Sequence, residues 1–203
     1  MSTSPQRTAP RGRPADPSVE ARALNAAVEL YSEVGWNGFT MDAVASRAKV
    51  GKAALYRRWP TKQELLTNAI AGSKAPDVSL RDTGDLRTDL ETMAEGLIGA
   101  LHTPRGLAEL RLQLEAKIYP EILDQAMDPI RSAWTASART YVAAAVSRGQ
   151  LPDTASPTLI FDAIRGAIIN RFLLTPSHRS TSMLEGRHEL AQRVVGLALA
   201  SFG

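Results

Sequence analysis

The chain has 203 residues, 44% of them hydrophobic, with a net charge of +3 and no cysteine. That length suits one large domain or a small one plus a medium one, and the missing cysteine excludes disulfides, thiolate metal sites and a cysteine nucleophile. No apolar stretch approaches the ~20 residues of a membrane-spanning helix, and the opening MSTSPQRTAPRGRP has no apolar run of a secretory signal, so a cytoplasmic protein with no membrane partner is expected.

The small net charge hides an asymmetry. Through Lys74 there are eleven Lys and Arg against six Asp and Glu; from Ala75 onward there are thirteen against fifteen. A basic first third on a slightly acidic remainder points to a polyanion-binding head on a body with another task. Residues 1–15, rich in Pro, Ser, Thr and Arg and without periodicity, read as a disordered basic arm. Arg11 and Arg13 in its Arg-Gly-Arg-Pro run could enter a narrow minor groove, or the arm is merely solubilising.

A first helix is expected from Asp16-Pro17, a cap followed by proline at the first helical position. Leu24, Ala27, Val28, Tyr31 and Val34 give its apolar stripe, and Gly35 ends it. Trp36–Phe39 reads as a turn whose Phe39 plugs a small core. Thr40 then caps a short helix, Met41–Ala48, with Asp42 in its first turn where the dipole favours a negative charge. Lys49-Val-Gly51 is a turn, and Lys52–Trp59 a second short helix that Gly51 is able to cap. Leu55 and Trp59 share a face and can bury the unit with Val44, Ala45 and Ala48. Lys52, Ala53, Tyr56 and Arg57 are left on the other side. Two short helices, a tight turn and a cation-rich second helix make a helix-turn-helix, whose second helix enters a DNA major groove. There a guanidinium can pair with guanine and an alanine can lie against a thymine methyl. The competing reading is a solvated basic helix in an ordinary bundle.

Thr61-Lys-Gln-Glu64 is a capping box that starts a fourth helix, running to about Lys74. Residues 16–74 thus form a head of three to four helices. Residues 75–84 read as linker, and 75–203 as a body of about five to six helices. A helix from Asp85 to Leu101 carries Leu86, Leu90, Met93, Leu97 and Leu101 on one stripe. Pro104 opens another, with Leu107, Leu110, Leu114 and Ile118 expected to face inward. A short helical piece follows Pro120, and Asp128-Pro129 signals a new start for the helix carrying Ile130, Trp134, Tyr141, Val142 and Ala145. Ser156-Pro157 opens a helix to about Leu174 that is apolar on more than one face, which suggests burial on two sides. A loop containing Pro176 and Gly186 precedes a last helix to Ala200. No strand alternation is present, so the fold class is all-α.

These residues carry a resemblance. Gly35-Trp-Asn-Gly-Phe-Thr40, Met41-Asp-Ala-Val-Ala45, Arg47-Ala48, Val50-Gly51-Lys52, Leu55-Tyr56, Trp59-Pro60 and Lys62-Gln-Glu-Leu65 together resemble the DNA-binding domain of the TetR family of bacterial transcriptional repressors. The layout of the body is similar to that family's ligand domains, and Arg81–Leu86 and Gly149–Pro152 sit where one subgroup has similar segments. The resemblance implies a homodimer on a palindromic operator, paired through the helices at about 156–174 and 187–200, and released by a small-molecule effector. By position it places Thr40, Lys52, Ala53, Ala54, Tyr56, Arg57 and Lys62 at DNA, with Tyr56 and Lys62 on phosphates and the start of the second short helix on bases. Gly51, where many members have serine, departs from the pattern.

For an effector pocket the candidate lining is Met93, Leu97, Leu114, Trp134, Tyr141, Phe161, Arg165 and Phe172, each of which also reads as plain core. Arg165 and Asn170 are polar residues in an apolar helix, and Arg165 could instead pair with Asp162. An architectural or cell-division DNA-binding protein of the same fold, without effector, is an alternative. An all-α enzyme is a remote one: His102, His178 and His188 form no metal-ligand spacing, no phosphate loop is present, and no catalytic residue, metal or cofactor is expected.

Overall fold

The computed structural model describes residues 17–72 and 80–202, and the described residues are helical with no strand. The arm at 1–15, with Arg11 and Arg13, and the linker up to residue 79 lie outside them. The first helix, α1 (Pro17–Gly38), is bent at Gly35, where φ is +65°. Ala23, Ala27, Val28 and Tyr31 are buried, whereas Val34 is turned to solvent at 44% exposure.

Next come α2 (Met41–Ala48), α3 (Lys52–Tyr56) and α4 (Lys62–Gly72). The Thr40 hydroxyl accepts the Ala43 N–H at 3.2 Å, and the Thr61 hydroxyl accepts the Glu64 N–H at 3.1 Å, so both threonine caps form as expected. One detail differs from expectation. The second short helix ends at Tyr56 rather than Trp59, although the Trp59 N–H still reaches the Leu55 carbonyl at 2.8 Å. The turn also has a left-handed residue, Lys49 with φ +54°, that the sequence pattern does not single out, whereas Gly51 is the N-cap of α3 as expected, extended and without a side-chain bond.

The body comprises α5 (Leu86–Leu101), α6 (Pro104–Ile118), α7 (Pro120–Ser147), α8 (Leu159–Leu174), α9 (Ser180–Glu185) and α10 (Arg187–Leu199). Three expectations need correcting. The helix α7 is continuous: Asp128-Pro129 does not start a new one. Arg131 bridges Asp124 at 3.0 Å and Asp128 at 2.5 Å across that segment, so one side chain staples two helical turns. The expected loop around Pro176 contains a 3-10 turn at Ser177–Arg179 and the helix α9. On α6 the inward stripe is Ala108, Leu112 and Ala116, while Leu107, Leu114 and Ile118 are 39%, 56% and 65% exposed. Small alanines let α6 lie close against α1, and that contact outweighs the larger leucines on another face.

Two apolar cores result. The first gathers α1–α4 around Tyr31, Phe39, Leu55 and Leu65, but it also takes Ala108, Leu112 and Ala116 from α6 and Leu123 and Met127 from α7. The second unites α5, the later half of α7, α8, α9 and α10 around Leu90, Met93, Phe161 and Ile164. The helix α6 therefore walls the head while Leu110 on its other side packs against the body.

Candidate nucleic-acid interface

The short helix α3 is two-sided. Leu55 and, just beyond it, Trp59 are buried at 0% and 5%, in the same core as Val44, Ala45 and Ala48. Burying an aromatic and an aliphatic side chain on one side fixes what the other side presents. Lys52, Ala53, Tyr56 and Arg57 are exposed and Ala54 is partly so, with Thr40 exposed at the start of α2. The Lys52 ammonium lies 2.7 Å from Asp42 in a fully solvated pair, which is weak enough for a phosphate to replace. Arg57 follows directly on the last turn of α3. The arrangement offers cations, a phenol and a methyl surface to a groove.

Lys62 is placed differently from the rest. Its ammonium donates to the Trp36 carbonyl at 2.9 Å and lies 3.9 Å from the centre of the Trp36 indole ring. Desolvation by burial pulls its pKa below the usual lysine value, and the nearby Glu115 carboxylate opposes that shift. This lysine therefore pins α4 to the bend that follows Gly35.

The bend is held by a residue that periodicity did not single out. Glu115, from α6, accepts the Tyr31 hydroxyl at 2.6 Å and the Trp36 N–H at 2.9 Å on the same carboxylate oxygen. Burial, then the hydrogen bond to Glu115, push the Tyr31 phenol well above the usual tyrosine range. Trp36 is the first residue past the non-helical Gly35, so its amide is one that helix geometry leaves free. The carboxylate caps the restart of the helix from the opposite domain. Asn37 donates to the Tyr119 hydroxyl at 3.1 Å, Arg105 to the Ile70 carbonyl at 2.6 Å, and Gln63 to the Ile122 carbonyl, which completes the seam between head and body. These links join residues distant in sequence, so only a long-range pairing signal would find them.

In the body, Met93, Leu97, Tyr141 and Phe161 are buried together in the second core. Trp134 packs edge-on against Phe161 at 5.5 Å, and Phe172 edge-on against His102 at 5.3 Å. Leu114 does not join them: it is exposed on α6. Among the described residues Arg165 forms no ion pair with Asp162 or any other carboxylate. It lies over the Trp134 ring, 4.9 Å from its centre, and Glu109, followed by Asp162, acts on it electrostatically. A groove of about 680 Å3 lies elsewhere, between α8, α9 and α10, lined by residues that include Asn170, Arg171, Leu174, Met183 and Arg193. None of the eight candidate pocket residues lines it.

Two segments flagged in the sequence meet in space. Arg148 and Asp82 form an ion pair at 3.0 Å, and Gln150 donates to the Gly84 carbonyl at 2.9 Å. Behind them the buried Asp89 accepts the Thr83 N–H and hydroxyl and the Tyr141 hydroxyl, at 3.0, 2.5 and 3.0 Å. The histidines do not converge: His188 faces Glu95 at 2.6 Å, while His102 sits between the Ile98 and Ser180 carbonyls.

Comparison with known proteins agrees with this architecture. Residues 23–69 match the family of bacterial regulatory proteins of the tetR type, and residues 80–198 match the tetracyclin repressor-like C-terminal domain. The chain is 29% identical over 169 residues to the uncharacterised HTH-type transcriptional regulator YdeS of Bacillus subtilis, covering 81% of this chain and 83% of that one. Among solved structures it is similar to a Mesorhizobium loti protein assigned to the TetR family, with a TM-score of 0.68 and 19% identity over 95% of this chain and 100% of that one. It is also similar to the regulator FadR of Bacillus subtilis, solved with stearoyl-CoA, with a TM-score of 0.66 and 16% identity over 90% and 99% of the two chains.

Proposed function

The chain belongs to the TetR family and is a helix-turn-helix transcriptional regulator, and from that premise we propose that it is a repressor that binds a palindromic operator as a homodimer and leaves it when a small molecule occupies the body. The observation that carries the DNA part is the two-sidedness of α3: Leu55 and Trp59 are locked in the core, and Lys52, Ala53, Tyr56 and Arg57 are free to meet DNA. In this reading Arg57 reads a base, Ala53 and Ala54 allow close approach, and Thr40, Lys52 and Tyr56 meet phosphates. Lys62 acts at DNA chiefly by fixing the orientation of α4 against Trp36, with phosphate contact secondary.

The dimer reading rests on α8 and α10. Leu159, Leu173 and Leu174 on α8 and Leu197 on α10 are 58–77% exposed, more apolar surface than an isolated subunit needs. A two-fold axis there would set two copies of α3 in successive major grooves, about 34 Å apart. Effector control is supported by the body's helical layout and by the FadR neighbour of the same fold, which is bound to stearoyl-CoA. The effector acts only through its different affinity for the operator-fitting and non-fitting spacings.

Selecting bound fragments from genomic DNA identifies the operator, and titration on operator and random DNA then tests the interface. Arg57→Ala is expected to lower operator affinity by about 1–3 kcal/mol while leaving random-DNA binding nearly unchanged. Equal loss on both DNAs removes Arg57 from base reading.

A further inference from the structure

Between α6, α7 and α8 is a cluster of charges of which only Arg105 also serves the seam, through the one N–H group that it donates to the Ile70 carbonyl. Arg105 and Glu109 stand one turn apart on α6, with Arg105 Nε 2.9 Å from Glu109 Oε1. That contact is an ion pair without hydrogen-bond alignment, and Arg105 Nε and Nη1 are both buried with no hydrogen-bond acceptor. Arg165 approaches from α8, its guanidinium carbon 4.9 Å from the centre of the Trp134 ring on α7. Among the described residues its guanidinium has no hydrogen bond and no ion pair, although it is partly buried. Burial pulls its pKa below the usual arginine value, opposed first by Glu109 and then by Asp162. Glu109, raised by burial and lowered first by Arg105 and then by Arg165, is the carboxylate both guanidiniums share.

On the buried side two guanidiniums share the Glu109 carboxylate, with Asp162 standing out in solvent, so one positive charge there is unmatched and Arg105 Nε and Nη1 have no acceptor. Such an arrangement is costly in a stable core and has value where an anion completes it. A monocarboxylate balances the charge; a dianionic phosphate would overshoot it. The surroundings suit an apolar body on that carboxylate: the half-buried Trp134 offers its ring beside the Arg165 guanidinium, with the buried Phe161 edge-on behind it.

Building on the effector reading above, we propose that Arg165, with Arg105 and Glu109 behind it, is the charge-recognising end of the effector site, and that the effector is an apolar monocarboxylate whose headgroup lies on the Arg165 guanidinium and whose body lies along Trp134. Arg165 makes the direct contact. Arg105 supplies field and, with Glu109, sets the charge balance.

The test uses the full chain and three probes, octanoate, decanoate and benzoate, each paired with its alcohol, followed by calorimetry and by operator release. The wild type is expected to bind at least one carboxylate about tenfold or more tighter than its alcohol, since a hydrogen-bonded charge pair contributes on that scale. Arg165→Met is expected to abolish that preference while leaving alcohol binding within about twofold, and Arg165→Lys to retain part of it. Unchanged far-UV dichroism and melting temperature confirm that both variants are folded. Binding of none of the carboxylates, or a preference that survives Arg165→Met, overturns the proposal. Release of the operator by an alcohol, with every carboxylate inert, overturns it and leaves effector control standing. Carboxylate binding that needs Arg165 but never releases the operator upholds the anion site and overturns effector control.

Discussion

At Gly35 the backbone has φ +65°, and a methyl group there would press on the Glu115 carboxylate and the Arg111 side chain. Conformation and space both demand glycine, so Gly35→Ala is expected to cost about 1–3 kcal/mol in urea-induced unfolding. Glu115→Ala removes the acceptor shared by the Tyr31 hydroxyl and the Trp36 N–H, two bonds to a charged group in a partly buried place. A loss of about 2–3 kcal/mol is expected, with Glu115→Gln intermediate because it keeps one acceptor. Lys62→Met should lose the Trp36 carbonyl bond and the indole contact, about 1–2 kcal/mol together. A Lys62→Met protein as stable as the wild type but weaker on all DNA would return that side chain to the phosphates.

Among the elements, the joint between the segment at 80–84 and the end of α7 responds to acid. The Arg148 guanidinium, helped by the Gly84 N–H, holds the Asp82 carboxyl below the usual carboxylate range. Its folded pKa is depressed, so its contribution is complete above the unfolded value of about 3.9 and is lost as pH falls through the lower folded value. Asp82→Asn is therefore expected to flatten part of the acid limb below about pH 4 in urea unfolding at several pH values, with little effect at pH 7. The two short helices and the threonine caps of α2 and α4 were legible in the sequence because each signal spans only three or four residues. The stripe of α6 was not, because Leu107–Leu114–Ile118 and Ala108–Leu112–Ala116 are both helical rows and size favours the wrong one. What decides is α1, whose close approach needs the alanines. Asp128-Pro129 likewise has the form of a start signal, but Arg131 stitches the turn before it to the turn containing it. The Glu115 cap joins positions 79 and 84 apart, beyond the reach of any local pattern.

For the whole molecule, Leu197 at 77% exposure and Leu174 at 74% mark the face proposed above for dimerisation. Leu197→Glu is expected to convert the dimer to monomer in sedimentation analysis and to lower operator affinity at least about tenfold, since each half-site alone contributes only part of the binding. A dimer that persists in this variant moves the interface elsewhere. The shared ownership of α6 carries a different lesson, about modularity. A fragment ending at Gly72 would leave behind Ala108, Leu112, Ala116, Leu123 and Met127, one wall of its own core. The DNA reader is thus not a portable unit: a chimera that grafts residues 17–72 onto another body inherits an unlined interior unless the donor's α6 and the start of α7 travel with it. Recombination between relatives is expected to fare poorly at either cut: one in the interdomain segment strips that wall from the head, and one inside α7 after Met127 divides the second core, which joins α5 to α8 and α10.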